Sequence, residues 1–116
     1  MSSSTLTQYF VIPEIGENRV YHAHISPRPS LAMLKATIEE HLDGERLEHV
    51  AVLWEGERRD MFVGERSSIN GRMIRNIRAT AIYRNNTLTQ RPETDPETLP
   101  AISGPAVLFP DRRVWF

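Results

Sequence analysis

The sequence predicts an α+β fold with the element order ββαββαβ, an antiparallel or mixed sheet with two helices packed on it. Two observations indicate this fold. Runs of β-branched and aromatic residues occur in pairs separated by short glycine turns, and helix-like segments separate these pairs. Because helices alternate with hairpins, we expect both helices on one face of the sheet. A chain of 116 residues can form one ordinary core, so residues 1–116 are assigned to a single α+β domain.

The first hairpin is predicted from strands at residues 6–12 and 19–25, with a glycine turn between them. In the second of these strands, Tyr21, Ala23 and Ile25 alternate with a less apolar set of residues. Since alternate residues of a strand point to opposite faces of a sheet, we expect the more apolar set to face the core.

The clearest helix is predicted between Ser30, a residue favoured at the N-cap, and Gly44, which suits the position just beyond a helix. Apolar side chains recur between them with helical spacing, at Leu31, Leu34, Ile38 and Leu42. Because such a stripe packs against other elements, we expect this helix to be held in place by packing.

The second hairpin is predicted from strands at residues 47–54 and 58–63, joined by a turn that contains Gly56. The first of these strands is mostly apolar, which favours a largely buried position. Residues 64–71 have the composition of a loop, so the hairpin is expected to end there.

A shorter helix is predicted over residues 76–86, where Asn76 can serve as the N-cap. Ile77 and Ala81 lie on one stripe of this helix, and Arg84 would extend that stripe.

The C-terminal part of the chain combines a proline-rich segment with two apolar runs. Residues 90–105 contain four prolines without periodicity, which indicates either an ordered excursion or a mobile loop. Residues 106–109 are predicted as a strand. Val107–Phe109 and Val114–Phe116 would then give two apolar strand edges, so we expect a homo-oligomer formed through the C-terminal strand.

Composition excludes several classes of protein. Hydrophobic residues make up 40% and charged residues 25%, which is typical of a globular chain. The absence of cysteine excludes disulfides, cysteine-ligated metals and a thiol nucleophile. We see no signal-peptide pattern and no apolar stretch that approaches the ~20 residues of a membrane span, so we expect a cytoplasmic protein without membrane contact. The net charge of −1 argues against nucleic acid as a partner.

The sequence contains no pattern that marks a catalytic centre, and we expect no catalytic residue and no cofactor. His22 and His24 share one face of a predicted strand, and His49 on another strand could approach them. Three imidazoles could bind zinc or iron. No HxxxH or HExxH pairing supports such a site, so we favour solvent-facing histidines and expect no metal ligand.

An arginine-rich stretch is the strongest functional candidate. Thirteen of the fourteen basic residues are arginine, and residues 56–91 hold eight arginines against three acidic residues, a net charge of +5. Arginine donates in a planar fork that suits phosphate, and an aromatic ring can stack on a base. The predicted ligand-binding residues are Arg66, Ser67, Ser68, Asn70, Arg72, Arg75, Arg78 and Tyr83. The alternative is a hydrated loop with scattered surface arginines.

Several structural motifs follow one another from residue 47 onward. They are the MFVGE step at 61–65, Gly71, the Asn-x-x-Ala-Thr pattern at 76–80, and the Gly-x-Ala-Val pattern at 104–107. With these motifs, residues 47–86 and 99–116 resemble a small domain family of unknown function that is found on phages, plasmids and bacterial mobile elements. The resemblance implies a shared fold and genomic setting, and it implies no activity.

Together these features predict a non-enzymatic binding protein of a phage or mobile element. One hypothesis is a counter-defence protein that sequesters an anionic nucleotide-type ligand in an arginine-lined pocket. An alternative is an inhibitor or adaptor that binds a host defence protein through its C-terminal strand or acidic helix face. Two further hypotheses are nucleic-acid binding through the arginines of residues 58–91 and hydrolysis of a nucleotide, which would need a base or metal that the sequence does not indicate.

Overall fold

The computed structural model describes residues 5–65 and 74–116. The strands in these ranges are β1 (Thr5–Ile12), β2 (Arg19–Ile25), β3 (Leu47–Trp54), β4 (Glu57–Gly64) and β5 (Ala106–Phe109). The helices are α1 (Leu31–Ile38) and α2 (Ile77–Gln90), and short 3₁₀ turns occur at Glu39–His41 and Pro96–Thr98. The predicted element order ββαββαβ is confirmed.

The strands form one sheet in the order β2-β1-β5-β4-β3, and every neighbouring pair is antiparallel. The last strand, β5, therefore lies in the centre of the sheet and joins the two hairpins. All four residues of β5 are buried, which explains why its sequence is apolar throughout and does not alternate. The α+β fold is confirmed, with a sheet that is antiparallel in every pair.

The two helices lie on opposite faces of the sheet, so the expectation of helices on one face is wrong. On one face, which we call the α1 face, Phe109 packs in the same core cluster as Leu34 of α1. On the other, the α2 face, Leu108 packs with Ala79 of α2. The physical reason is the central position of β5, because a strand with apolar side chains on both sides needs a cover on each.

Helix α1 starts as the sequence predicts and ends earlier. The hydroxyl of Ser30 accepts a hydrogen bond from the backbone N–H of Met33 at 3.1 Å, which confirms the N-cap. The α-helix gives way to the 3₁₀ turn after Ile38, and Leu42 is nevertheless buried on the α1 face. Gly44 has a positive φ of 77°, so the chain reverses at the predicted glycine although the helix itself has already ended.

The Ile77–Ala81 stripe of α2 does not face the sheet. Ala79 is buried in the core cluster of the α2 face and Thr80 is buried against the return segment, whereas Ile77 is 73% exposed and Ala81 is also exposed. The helix also runs for 14 residues, beyond its predicted end at residue 86. Within the two described ranges, no helix is long and apolar enough to cross a membrane.

Asn76 fixes the orientation of α2 and so determines which side of the helix faces the sheet. Its side-chain oxygen accepts from the backbone N–H of Ala79 at 3.0 Å, which confirms the predicted N-cap. Its amide nitrogen donates to the backbone oxygens of Ile12 and Gly104, both at 2.9 Å. Asn76 is fully buried, so the start of α2 is tied to β1 and to the chain that enters β5.

Residues 91–105, which we call the return segment, form an ordered excursion over α2. Ile102 is buried, and its backbone N–H donates to the hydroxyl of Thr80 at 2.9 Å. The Asn76 N–H donates in turn to the Ile102 oxygen at 2.8 Å. Of the two predicted alternatives, these bonds support the ordered excursion.

The C-terminal residues do not supply the predicted pair of strand edges. β5 is bonded to β1 on one side and β4 on the other, so Val107–Phe109 has no free edge. Val114 is buried and Trp115 packs on the α1 face, while Phe116 is 69% exposed. The sheet instead ends at β2 and β3. Oligomerisation through the C-terminal strand therefore loses its basis, and a homo-oligomer as such stays a prediction.

The carboxylate of Asp60 holds the C-terminal tail on the α1 face. Asp60 is fully buried and accepts hydrogen bonds from the backbone N–H groups of Val114 at 2.7 Å and Trp115 at 3.0 Å. Arg113 Nε donates to it at 3.1 Å, and His49 Nε2 at 2.7 Å. The His49 ring also stacks on Trp115, with centroids 4.8 Å apart. One carboxylate therefore connects β4, β3 and the tail.

The hydrogen bonds to Asp60 keep it ionised. Burial by itself raises the pKa of this carboxyl, but the bonds from His49, Val114 and Trp115, together with the charge of Arg113, outweigh burial and lower its pKa below the ordinary value. A folded pKa below the unfolded one means that ionised Asp60 stabilises the folded state at neutral pH, and that this contribution is lost in acid.

The substitution Asp60→Asn should lower the free energy of unfolding by about 3 kcal/mol at pH 7, because the amide turns N–H groups toward buried donors. The contribution of Asp60 is present above its unfolded pKa of about 3.9 and is lost as pH falls through the lower folded pKa. Urea unfolding from pH 7 to pH 3 should therefore show the gap between wild type and variant closing in acid. Asp111→Asn, at an exposed carboxylate, is the control; a gap that stays constant with pH would contradict this role.

The substitution Asn76→Asp should destabilise the fold by about 3 kcal/mol, because a carboxylate can cap α2 but cannot donate to the oxygens of Ile12 and Gly104. Asn85→Asp adds the same charge at an exposed position of α2 and should change stability by less than about 0.5 kcal/mol. Urea unfolding at pH 7 measures both. Equal effects of the two substitutions would show that the amide donors of Asn76 are not needed.

Candidate ligand-binding groove

A groove runs along the side of α2 that faces away from the sheet, between this helix and the return segment. Its volume is about 540 Å³, within the range of small-molecule sites. The residues that line it are Arg75, Ile77, Thr80, Ala81, Arg84, Asn85, Leu88 and Pro96. Most of them come from α2, so the helix forms the floor of the groove and the return segment forms a wall.

The floor of the groove contains the stripe that the sequence indicates on this helix. Ile77, Ala81, Arg84 and Leu88 recur with the spacing of one helix face and all line the groove. Since Asn76 turns the other side of α2 toward the sheet, this stripe is left facing outward. Exposed Ile77 is therefore part of an apolar floor.

Arg84 is the most enclosed charged residue of the groove. Its side chain is only 12% exposed, and Nη2 donates to the backbone oxygen of Leu99 at 2.9 Å. The carboxylate of Glu97, which is itself exposed, lies 3.8 Å from Nη1 and gives a weak ion pair. Nε is buried and has no hydrogen-bond partner within the described ranges. A buried donor without a partner is costly to the fold, and since Nε has no accessible surface, the weakly paired Nη1 is the donor left for a ligand.

Arg75 places a second guanidinium at the same groove. It precedes α2 and is held by an isolated β-bridge to Ser103 of the return segment. Arg75 is exposed and Arg84 enclosed, so the positive charge runs from the groove mouth to its floor. Two arginines beside apolar side chains suit a ligand that joins an anionic group to an apolar or planar body.

Three of the predicted ligand-binding residues are described by the structure, and these three do not converge on one pocket. Arg66, Ser67, Ser68, Asn70 and Arg72 lie outside the described residues. Of the remaining three, Arg75 lines the groove, whereas Arg78 and Tyr83 do not. The helix explains the separation of Arg78, because Arg78 and Arg84 are six residues apart and their side chains therefore point about 120° apart around α2.

Arg78 and Tyr83 have other positions in the fold. The guanidinium of Arg78 donates to Asn18 Oδ1 at 2.6 Å and to the backbone oxygens of Pro13 at 2.9 Å and Gly16 at 2.5 Å. It therefore fastens the turn between β1 and β2 to α2. Tyr83 lines a separate cavity of about 400 Å³ beside β3.

The histidines considered as metal ligands are far apart in the sheet. His22 and His24 are exposed on β2, which is one edge strand, while His49 lies on β3, the opposite edge. His49 is in addition bonded to Asp60. These three histidines therefore cannot share one ion. Of the proximity that the sequence suggested, only that of His22 and His24 on one strand holds.

A second titratable cluster lies where β1 meets the 3₁₀ turn after α1. The hydroxyl of Tyr9 and Nε2 of His41 are 3.2 Å apart, and Tyr9 stacks on Tyr21 with centroids 5.5 Å apart. Burial, with a smaller effect of the Glu40 charge, raises the pKa of Tyr9. The cluster keeps Tyr9 neutral and packs the turn against the sheet.

Of the residues that line the groove, the sequence predicted only Arg75 as a site residue. The residues that it missed are Ile77, Thr80, Ala81, Arg84, Asn85, Leu88 and Pro96. The helix was predicted to end at residue 86, which excluded Leu88, and the return segment offered no periodicity that could place Pro96. A signal for Leu88 was present, since residues 77, 81, 84 and 88 continue one helical stripe. The pattern indicates one face of α2, but it does not indicate what covers that face.

Comparisons with protein-family models, with curated proteins and with solved structures found no match to this chain. The resemblance to a domain family of phages and mobile elements therefore stays a prediction.

Arg84→Met should change the free energy of unfolding by less than about 1 kcal/mol, because loss of the bond to Leu99 is offset by removal of a buried unpaired donor. The same substitution at Arg78, on the same helix, removes three hydrogen bonds and should cost about 2 kcal/mol. Urea unfolding of both variants measures the difference. A larger loss at Arg84 than at Arg78 would show that Arg84 serves the fold.

Proposed function

We propose that this chain is a non-enzymatic binding protein that holds a small anionic ligand in the groove along α2. The observation that carries the proposal is Arg84, a largely enclosed guanidinium that lines the groove and whose Nη1 has, among the described residues, only a weak 3.8 Å pair with an exposed carboxylate. A phosphate or carboxylate oxygen in the groove can give such a donor a charge-assisted bond.

The groove favours a nucleotide-type ligand within the class of anions. Arg75 and Arg84 provide two guanidinium groups, which suit a phosphate better than a single amine does. Ile77 and Ala81 provide an apolar floor on which a planar base or another apolar body can lie. A volume of about 540 Å³ accommodates a ligand of that size.

The chemistry of the lining residues favours holding a ligand over turning it over. The described lining consists of guanidinium, amide, hydroxyl and apolar groups, and none of these titrates near neutral pH. The hydroxyl of Thr80 is already bonded to Ile102. General acid–base catalysis needs a titrating group at the reacting atom, so sequestration is the function that this lining supports.

In the setting that the family resemblance implies, the ligand would be a nucleotide-type signal of a host defence system. The protein would then act in the bacterial cytoplasm by lowering the free concentration of that signal. The alternative is an inhibitor or adaptor that binds a host defence protein. The two proposals differ in their dependence on the groove, because only sequestration requires Arg84.

Native mass spectrometry of protein purified from bacterial cells, followed by calorimetry with mono-, di-, tri- and cyclic nucleotides, tests the proposal. We expect at least one nucleotide to bind, and its parent nucleoside, which lacks phosphate, to bind at least about tenfold more weakly. Arg84→Met and Arg75→Ala should each weaken nucleotide binding by about tenfold or more. Arg58→Ala, at an exposed arginine of β4 outside the groove, should leave the affinity unchanged.

Equal affinities of wild type and Arg84→Met for the nucleotide that binds would overturn the assignment of the groove. Binding of none of the nucleotides, together with a clean mass of the chain alone, would refute sequestration of a nucleotide-type ligand. Capture of a host protein that survives Arg84→Met would then favour the inhibitor or adaptor.

A further inference from the structure

Strand β3 forms one edge of the sheet, and two side chains show which of its backbone groups point outward. The backbone N–H of Leu47 donates to the carboxylate of Glu39 at 2.9 Å, and the backbone oxygen of Ala51 accepts from Asn86 at 3.1 Å. Neither partner belongs to β4. In an antiparallel pair, alternate residues point their backbone groups away from the partner strand. The backbone N–H and C=O groups of the odd-numbered β3 residues therefore point away from β4, toward the open edge of the sheet.

Between these two side chains lies an open stretch of edge, which we call the β3 window. It contains the Leu47 oxygen, both backbone groups of His49 and the Ala51 N–H. Within the described ranges none of these four groups has a hydrogen-bond partner. Glu39 closes one end of the window and Asn86 closes the other. An edge with free donors and acceptors is a template for a further strand.

A cavity of about 400 Å³ opens beside the β3 window on the α2 face. Val50 from the strand, Tyr83 from α2, and Pro100 and Ile102 from the return segment line it, and Glu48 lies at the same cavity. This cavity is separate from the groove, because α2 contributes Tyr83 and Asn86 here and a different stripe there. A side chain that points to the α2 face from a strand beside β3 would enter it.

We propose that the β3 window binds an extended peptide segment of a partner protein by antiparallel strand addition. The peptide residue opposite His49 exchanges two hydrogen bonds with it, and its neighbours two positions away pair with Leu47 and Ala51. All four open groups are then satisfied by a segment of five residues.

The register of this pairing specifies the peptide. Its residue opposite Val50 points to the α2 face and into the cavity, so it is apolar. The residue opposite Glu48, two positions later in the antiparallel peptide, lies beside an exposed carboxylate and is therefore basic. The peptide motif that fits the β3 window is thus an apolar residue, then any residue, then a basic residue.

The two closing side chains favour a short flexible segment over a second copy of this chain. In an antiparallel β3–β3 pair centred on His49, Glu39 of one copy and Asn86 of the other would meet at each end, where the ladder bonds of Leu47 and Ala51 should form. A peptide can leave the plane of the sheet after five residues, whereas an eight-residue strand cannot.

The test uses a fluorescein-labelled peptide, acetyl-TSLTKST-amide, and NMR hydrogen exchange of the full chain. In the free protein the N–H groups of His49 and Ala51 should exchange rapidly, while those of Val50 and Val52, which bond to β4, exchange slowly. At saturating peptide, exchange at His49 and Ala51 should slow by at least about tenfold. Unchanged exchange at both amides with millimolar peptide would overturn the proposal.

Charge reversal provides the matched control. The peptide acetyl-TSLTEST-amide should bind wild type at least about threefold more weakly, and Glu48→Lys should reverse this preference. The same ranking of the two peptides by both proteins would refute the register. Slow exchange of His49 and Ala51 that appears with rising protein concentration alone would show a second copy at the edge, and it would overturn the peptide assignment.

Discussion

The side chain of Asp60 lies where three separate parts of the chain meet. Its carboxylate accepts from β3 through His49 and from the tail through Arg113, Val114 and Trp115, while its own backbone belongs to β4. A charged group in so buried a position is tolerated only with this set of donors. Because the tail completes the α1 face, the core there depends on one ionised carboxylate as well as on its aromatic packing.

The central position of β5 determines where a ligand and a partner could bind. Since both faces of this strand are apolar, α1 and α2 are drawn to opposite sides of the sheet. Asn76 then fixes α2 so that Ala79 meets the sheet and Ile77 does not. The groove and the β3 window thus use different sides of the same helix, and each can be altered without the other.

Local signals made much of this fold predictable. Ser30 and Asn76 act as caps through their own side chains, and the strands follow from short runs of residues. The sheet-facing side of α2 was not predictable, because Ile77 and Ala81 satisfy the helical spacing whether they meet a sheet or a groove. The site was predicted only in part: Arg75 lies at the groove, whereas the role of Arg84 depends on the return segment, which has no sequence periodicity.

The chain order of the sheet has a consequence for synthesis on the ribosome. β5 follows every other described element in sequence, yet it alone joins the two hairpins. Until it emerges, β1 and β4 each expose an unpaired inner edge. The core clusters on the α1 face and the α2 face also lack the side chains that β5 contributes to each. The strands of the two nascent hairpins are therefore not yet paired with each other, and the sheet closes in one late step that involves contacts of long sequence separation.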